Sequence, residues 1–330
     1  MRGGSRIYLF GQFMKKIILY NPAISSLNLG DHIIGEACKE NLNNILEENM
    51  CIEISTHLPI SNTYMKFINN VEYSFVLGSN LLMPKMDARF RQWDIKKYNV
   101  KKISPVILMG VGWHQYSKKT TIYTKNLYKK ILSNKYFHSV RDEYTKKKLN
   151  EIGINNVINT GCPTFWSLTK EHCQKIPKEK SVNVIFTLTD YNRDIEKDER
   201  LISILKKNYE KVFFWIQGSD DLEYLESIDD MKGIEIIGPS LKVYDEVLNN
   251  YDVDFIGTRL HGGIRALQHK RRSLIIAIDN RAIEINKNYN IPILKRESID
   301  LLEEILTNPI ETDIKLPIEN IKKWKAQFER

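Results

Sequence analysis

Short apolar runs alternate with longer amphipathic stretches along most of the chain. The run at 15–20 reads as a buried strand, and 32–49 then sets Ile34, Cys38, Ile45 and Leu46 on one helical face. A second strand at 51–55 completes a β-α-β unit. Similar runs at 73–77, 106–109, 138–140 and 156–158 end in small or polar residues. Residues 174–180, with Pro177 and the lysines Lys175, Lys178 and Lys180, form a polar interruption that reads as a linker. Beyond it a second series of strands is expected at 182–188, 211–216, 234–237, 254–257 and 274–278, with helical spacing in the gaps at 201–209 and 241–251. Strands alternating with helices in this way build parallel sheets covered on both faces. The expected fold is therefore α/β, two Rossmann-like doubly wound domains at 14–173 and 181–310. Such sheets bind ligands at the carboxyl ends of their strands, so the site is expected in the cleft between the domains. In the tail at 311–330, Ile321, Trp324 and Phe328 stand at helical spacing among lysines. Three apolar residues make a thin membrane face, so this helix is expected to pack back on the protein.

Composition narrows the class. With 330 residues, 42% hydrophobic and 27% charged, the chain can bury two cores. No run approaches the ~18 apolar residues that span a bilayer. Residues 1–13 precede Met14 and read as a leader or remnant outside the fold; without a secretory pattern, a cytoplasmic protein is expected, with room for association at the inner face of the membrane. Cys38, Cys51, Cys162 and Cys173 lack C-x-x-C spacing, so reduced thiols and no metal site are expected. Lys and Arg number 49 against 41 Asp and Glu, a net charge of +8, which favours anionic partners without choosing among them.

The arginines do choose a place. Five of them (Arg259, Arg265, Arg271, Arg272, Arg281) cluster late in the chain, and the segment 254–267 runs from a strand through a tight turn into a helix. Free N–H groups at a helix start, the planar fork of Arg259 and the imidazole of His261 together make an anion site. Arg271 and Arg272 read as a solvated helix face. Asn28-Leu29-Gly30-Asp31 follows the first strand, with Gly30 as turn residue and Asp31 as N-cap, in a loop placed to touch a ligand. Arg141-Asp142 repeats the arrangement after 138–140, Asp142 capping and Arg141 facing the cleft. Gly110-Val111-Gly112-Trp113 is half of a dinucleotide fingerprint without its third glycine, a weak signal for a nucleotide cofactor.

Taken in order, Asn28-Leu29-Gly30-Asp31, Gly78-Ser79-Asn80, Ser139-Val140-Arg141-Asp142, Thr160-Gly161-Cys162-Pro163 and Thr258-Arg259-Leu260-His261, followed by 275–279, resemble the polysaccharide pyruvyltransferase family over about 15–295. The resemblance implies a GT-B-like pair of domains and phosphoenolpyruvate as co-substrate, with no other cofactor and no metal. It implies as acceptor two hydroxyls of a sugar in a polysaccharide repeat or a lipid-linked precursor, as in bacterial capsule or exopolysaccharide biosynthesis; nucleic acid is not an expected partner. It places Arg141, Arg259, Leu260 and His261 on the donor, and Asn28, Gly30, Gly78, Ser79, Asn80 and Gly262 around the substrates. Family members often carry Lys where this chain has Arg281, which keeps the charge and changes the geometry. His261, titrating near neutrality, is the expected proton-transfer group, with Arg259 beside it and Asp31 as a second base for an acceptor hydroxyl. Two rival readings share the architecture: a glycosyltransferase using a nucleotide sugar, and a non-catalytic binder of anionic glycans. Oligomeric state is left open.

Overall fold

The computed structural model describes residues 15–329 apart from 65–67, 69, 70, 104, 115, 118 and 279, and apart from the side chains at 280, 281, 283 and 284. Residues 1–13, expected to stand outside the fold, lie outside the described residues.

Among the described residues, twelve strands form two parallel sheets. In the first half these are β1 (Lys16–Asn21), β2 (Met50–Ser55), β3 (Val71–Leu77), β4 (Ile107–Met109), β5 (His138–Val140) and β6 (Val157–Asn159). The first four pair in the order β2-β1-β3-β4, and β5 pairs with β6. Gly110 N donates to Ser139 O at 3.0 Å and Arg141 N to Val111 O at 3.3 Å, so β5 continues the sheet beside β4. The second sheet takes β7 (Asn183–Phe186), β8 (Lys211–Trp215), β9 (Ile234–Ile237), β10 (Val253–Gly257), β11 (Ser273–Ala277) and β12 (Ile293–Lys295) in the order β12-β11-β10-β7-β8-β9. That is the doubly wound nucleotide-fold order, and all its pairs are parallel. Strands buried on both faces must be apolar throughout, which is why 17–20, 75–77 and 184–186 are fully buried, continuous hydrophobic runs.

Strand order reverses between β1 and β3 in the first sheet and between β7 and β10 in the second. Crevices open at such points, beyond the carboxyl ends of the strands. The helix Leu29–Asn41 of the first domain packs against the helix Leu260–Gln268 of the second and against the turn Pro163–Phe165, and one apolar cluster runs through both domains at this contact. A polar clasp lies at its edge: Leu29 N donates to Gln217 O at 2.9 Å, and Gln217 Nε2 donates to Asn28 Oδ1 at 3.2 Å.

After β12 the chain returns to the first domain. Trp324, on the helix Ile318–Ala326, is fully buried between Phe75 and Trp166, and Phe328 packs on Tyr73 and Phe75. Asn320 Nδ2 donates to Asn159 O at 2.8 Å and Lys325 Nζ to Asn41 Oδ1 at 2.7 Å. Among the described residues no helix is long and apolar enough to cross a membrane.

Three local expectations change. The first helix begins at Leu29, not His32, and its N-cap is Asn28, whose side chain accepts from Gly30 N at 3.0 Å; Asp31 therefore sits inside the first turn. The helix also stops at Asn41, with a separate turn at Asn43–Leu46. Arg272 is buried rather than solvated, held by Asp254 at 3.0 Å and by the carbonyl of Asn308 at 3.1 Å. Gly110 and Gly112 serve packing instead of a pyrophosphate: a Cβ on Gly110 would collide with the Pro163 ring, and one on Gly112 with the Arg141 guanidinium.

Candidate functional site

The first domain supplies one wall of the cleft from the loops after β1, β3 and β5. Asp31 accepts from Ser26 Oγ at 2.8 Å and from Ser79 Oγ at 2.9 Å, which joins the two loops that flank the strand-order reversal. Burial raises the Asp31 carboxyl above the ordinary range, and the two serine hydroxyls, with His57 and His32, oppose that rise. Gly78 has φ +60°, where a side chain would strike Ile34, and Ser79 has φ +59°; the tight turn is what aims Ser79 at Asp31. Next along this loop, Asn80 is buried and its Oδ1 has no hydrogen-bond partner among the described residues.

Arg141 lies beside Asn80. The bare backbone of Gly112 lets both side chains pack where a Cβ would stand. Arg141 is 7% exposed; its Nε pairs with Asp142 at 3.2 Å, and no other carboxylate among the described residues pairs with it. Asp142 meanwhile caps the helix Glu143–Glu151 by accepting from Thr145 N at 2.6 Å. Among the described residues the Arg141 Nη nitrogens form no hydrogen bond, while Asp142 holds its Nε in place.

The facing wall comes from β7, β8 and β10. Arg259 is the N-cap residue of the helix Leu260–Gln268, and among the described residues no side chain caps that helix, whose start stands at the carboxyl edge of the sheet. Two of the three guanidinium nitrogens, however, are already engaged. Nε donates to Leu188 O at 3.1 Å and to Asp221 Oδ2 at 3.1 Å, while Nη2 serves both Asp221 Oδ1 and, at 2.6 Å, Asp190 Oδ1. Burial of Arg259 disfavours its charge, and the two aspartates more than restore it, so its pKa stands above the ordinary value. Among the described residues Arg259 is thus shared between two aspartates, whereas Arg141 pairs with one.

Leu260 is partly buried and anchors the helix start to the apolar core. Gly262 lets Gln217 approach, a Cβ there standing 3.0 Å from Gln217 Oε1, and its carbonyl accepts from Tyr244 OH at 2.9 Å. Gly30 makes the corresponding approach from the first domain, 3.1 Å from Gln217 Nε2. Arg281 falls on the helix Asn280–Tyr289, but its side chain lies outside the described residues.

The two walls meet at Cys162. Its Sγ stands 3.8 Å from His261 Nε2 across the domain boundary, and it accepts from Thr164 Oγ1 at 3.2 Å. Burial pushes the thiol up, while Thr164 and the nearby charge of Arg141 oppose the shift. Tyr289 closes the same junction by donating to Asn159 Oδ1 at 2.8 Å and to Arg141 O at 3.2 Å. Sequence reasoning assigned no site role to Cys162, Asp190, Gln217, Asp221 or Tyr289. Position after a strand end was the available signal for Asp190 and Gln217; nothing local marks Tyr289, which reaches the site from the far end of its helix. Among the described residues, no three His, Cys, Asp or Glu side chains converge as a metal site would require.

The cleft thus brings together Arg141 and Cys162 of the first domain, the helix start with His261 of the second, and, on the first-domain wall, the Asp31 carboxyl fed by two hydroxyls. Solved structures share the architecture. A UDP-GlcNAc 2-epimerase from Methanocaldococcus jannaschii matches with a TM-score of 0.54 at 14% identity, over 95% of this chain and 98% of that one. A UDP-GlcNAc 2-epimerase from Neisseria meningitidis matches with a TM-score of 0.51 at 13% identity, over 95% and 99%. At such identities the likeness establishes the fold, two Rossmann-like domains in a GT-B-like arrangement. No curated protein matches the sequence. The family model described as polysaccharide pyruvyl transferase matches residues 28–280, from the Asn28 cap through the Arg259–His261 helix start, and the chain belongs to that family.

Proposed function

We propose that the protein transfers the pyruvyl group of phosphoenolpyruvate to two hydroxyls of one sugar in a polysaccharide or its precursor, giving a cyclic ketal and inorganic phosphate. The observation that supports this reading is the junction at Cys162, whose thiol stands 3.8 Å from His261 Nε2 of the second domain and feels the charge of Arg141, the residue after β5. A small, densely charged donor suits such a gap: Arg141 and the N–H groups of the helix Leu260–Gln268 take its anionic groups.

The chemistry assigns the remaining roles. C3 of the donor takes a proton, which makes C2 electrophilic, and one sugar hydroxyl adds there. The bond from C2 to the phosphate oxygen then breaks, and the second hydroxyl closes the ring, its proton leaving to a base or to the departing phosphate. His261 is the group that donates and accepts at the donor. Asp31, with a raised pKa and an anchored position, accepts a proton from the acceptor hydroxyl. Arg259 holds the helix start in place through Asp221. Incubation with phosphoenolpyruvate and a panel of glycosides should release phosphate and give a product heavier by one pyruvate less one water. Turnover of a UDP-sugar instead, with phosphoenolpyruvate inert, would overturn the reading.

A further inference from the structure

We propose that Asp190 gates donor binding: its carboxylate holds on Arg259 the place that the carboxylate of the incoming donor takes over. The inference rests on the donor reading above. A guanidinium offers five N–H donors in a rigid fork. Here Nε and Nη2 are both engaged, and among the described residues Nη1 has no hydrogen-bond partner.

The two aspartates on Arg259 are not equivalent. Asp221 is fully buried and also accepts from Gly218 N at 2.7 Å and from Asp190 N at 3.2 Å, so losing it would strand backbone donors as well as the cation. It is part of the frame. The Asp190 side chain is 19% exposed, and among the described residues Arg259 is its one salt-bridge partner. Asp190 can leave toward solvent at small cost; Asp221 cannot.

Location gives the exchange its purpose. Asp190 follows β7, at the strand-order reversal of the second sheet, where this fold receives ligands, and the exposed ring of Tyr191 lies 5.1 Å from the Arg259 guanidinium. Two acidic side chains on one cation leave an entering anion no unmatched charge at Arg259. A ligand that carries its own carboxylate can replace Asp190 on Nη2 like for like. A ligand without one has no such exchange to make. Asp190 therefore lowers affinity for the donor while selecting for a carboxylate on it.

Isothermal titration of phosphoenolpyruvate into the wild type, Asp190→Asn and Asp220→Asn separates the possibilities. Asp220 is an exposed neighbour whose substitution removes the same charge without touching Arg259. Asp190→Asn should bind phosphoenolpyruvate about tenfold more tightly, and its KM should fall in proportion with kcat close to the wild type, because the ion pair broken on binding is gone. Asp220→Asn should match the wild type. Unchanged or weaker binding in Asp190→Asn, or an equal gain in Asp220→Asn, would overturn the gate alone. Absence of phosphoenolpyruvate binding by the wild type would overturn the donor reading and the gate together.

Discussion

Arg141 and Arg259 are both buried cations near the cleft, and their partners give them different duties. Among the described residues Arg141 pairs with one carboxylate, through Nε, and its Nη groups form no hydrogen bond. Arg141→Ala should keep the fold and weaken phosphoenolpyruvate binding by a few kcal/mol, measured by calorimetry; unchanged affinity would remove it from the site. Arg259 is shared between Asp190 and Asp221, and Asp221 is fully buried. Arg259→Ala leaves that carboxylate uncompensated, so it should cost about 3–5 kcal/mol of stability in urea unfolding. A variant as stable as the wild type would contradict the framing role. His261 is tested by separating rate from affinity: His261→Gln should retain most donor binding and lower turnover by ~10²-fold or more. Equal losses in both would make it a phosphate contact only.

At the scale of elements, β5 shows how a polar strand is buried in a sheet. His138 is fully buried on β5, its Nδ1 accepting from Leu108 N at 3.1 Å and its Nε2 lying 2.9 Å from Ser133 O. Burial lowers its pKa from 6.5 to about 4, with the Ser133 carbonyl opposing the shift. The folded state prefers the neutral ring, so this contribution to stability is complete above the unfolded value and is lost as pH falls from about 6.5 through about 4. At 1.36 kcal/mol per unit the loss is roughly 3 kcal/mol. Urea unfolding over that range should show the decline, and His138→Gln should flatten it; parallel curves would refute the assignment. The run at 138–140 was legible in the sequence, but its acid sensitivity was not, because that depends on what lies over the ring. The first helix makes a similar point. Asn28 and Asp31 are both good capping residues, and the clasp from Leu29 N to Gln217 O starts the helix early, which selects Asn28 and frees Asp31 for Ser26 and Ser79.

For the whole molecule, the return of the chain onto the first domain ties the domains together. Trp324 fills a space lined by Phe75, Trp166 and Phe328. Trp324→Ala should cost about 3–5 kcal/mol, read as a lower urea midpoint; a change below about 1 kcal/mol would mean that this helix is peripheral. Among the described residues, eleven of the twelve strands were legible as short runs bounded by small or polar residues. β12, three residues between Pro292 and the turn at Arg296, was not. The sequence by itself determined the α/β class, the family resemblance and the placement of Asp31, Ser79, Arg141 and His261 beyond strand ends, because these follow from local pattern and motif order. Only the tertiary structure decided which side chains share charge. Asp190, Asp221 and Arg259 are far apart in the chain and meet because β7, β8 and β10 end at one edge, and Cys162 meets His261 because two domains pack face to face. Electrostatic pairing depends on distance through space, and no pattern along the chain reports that distance.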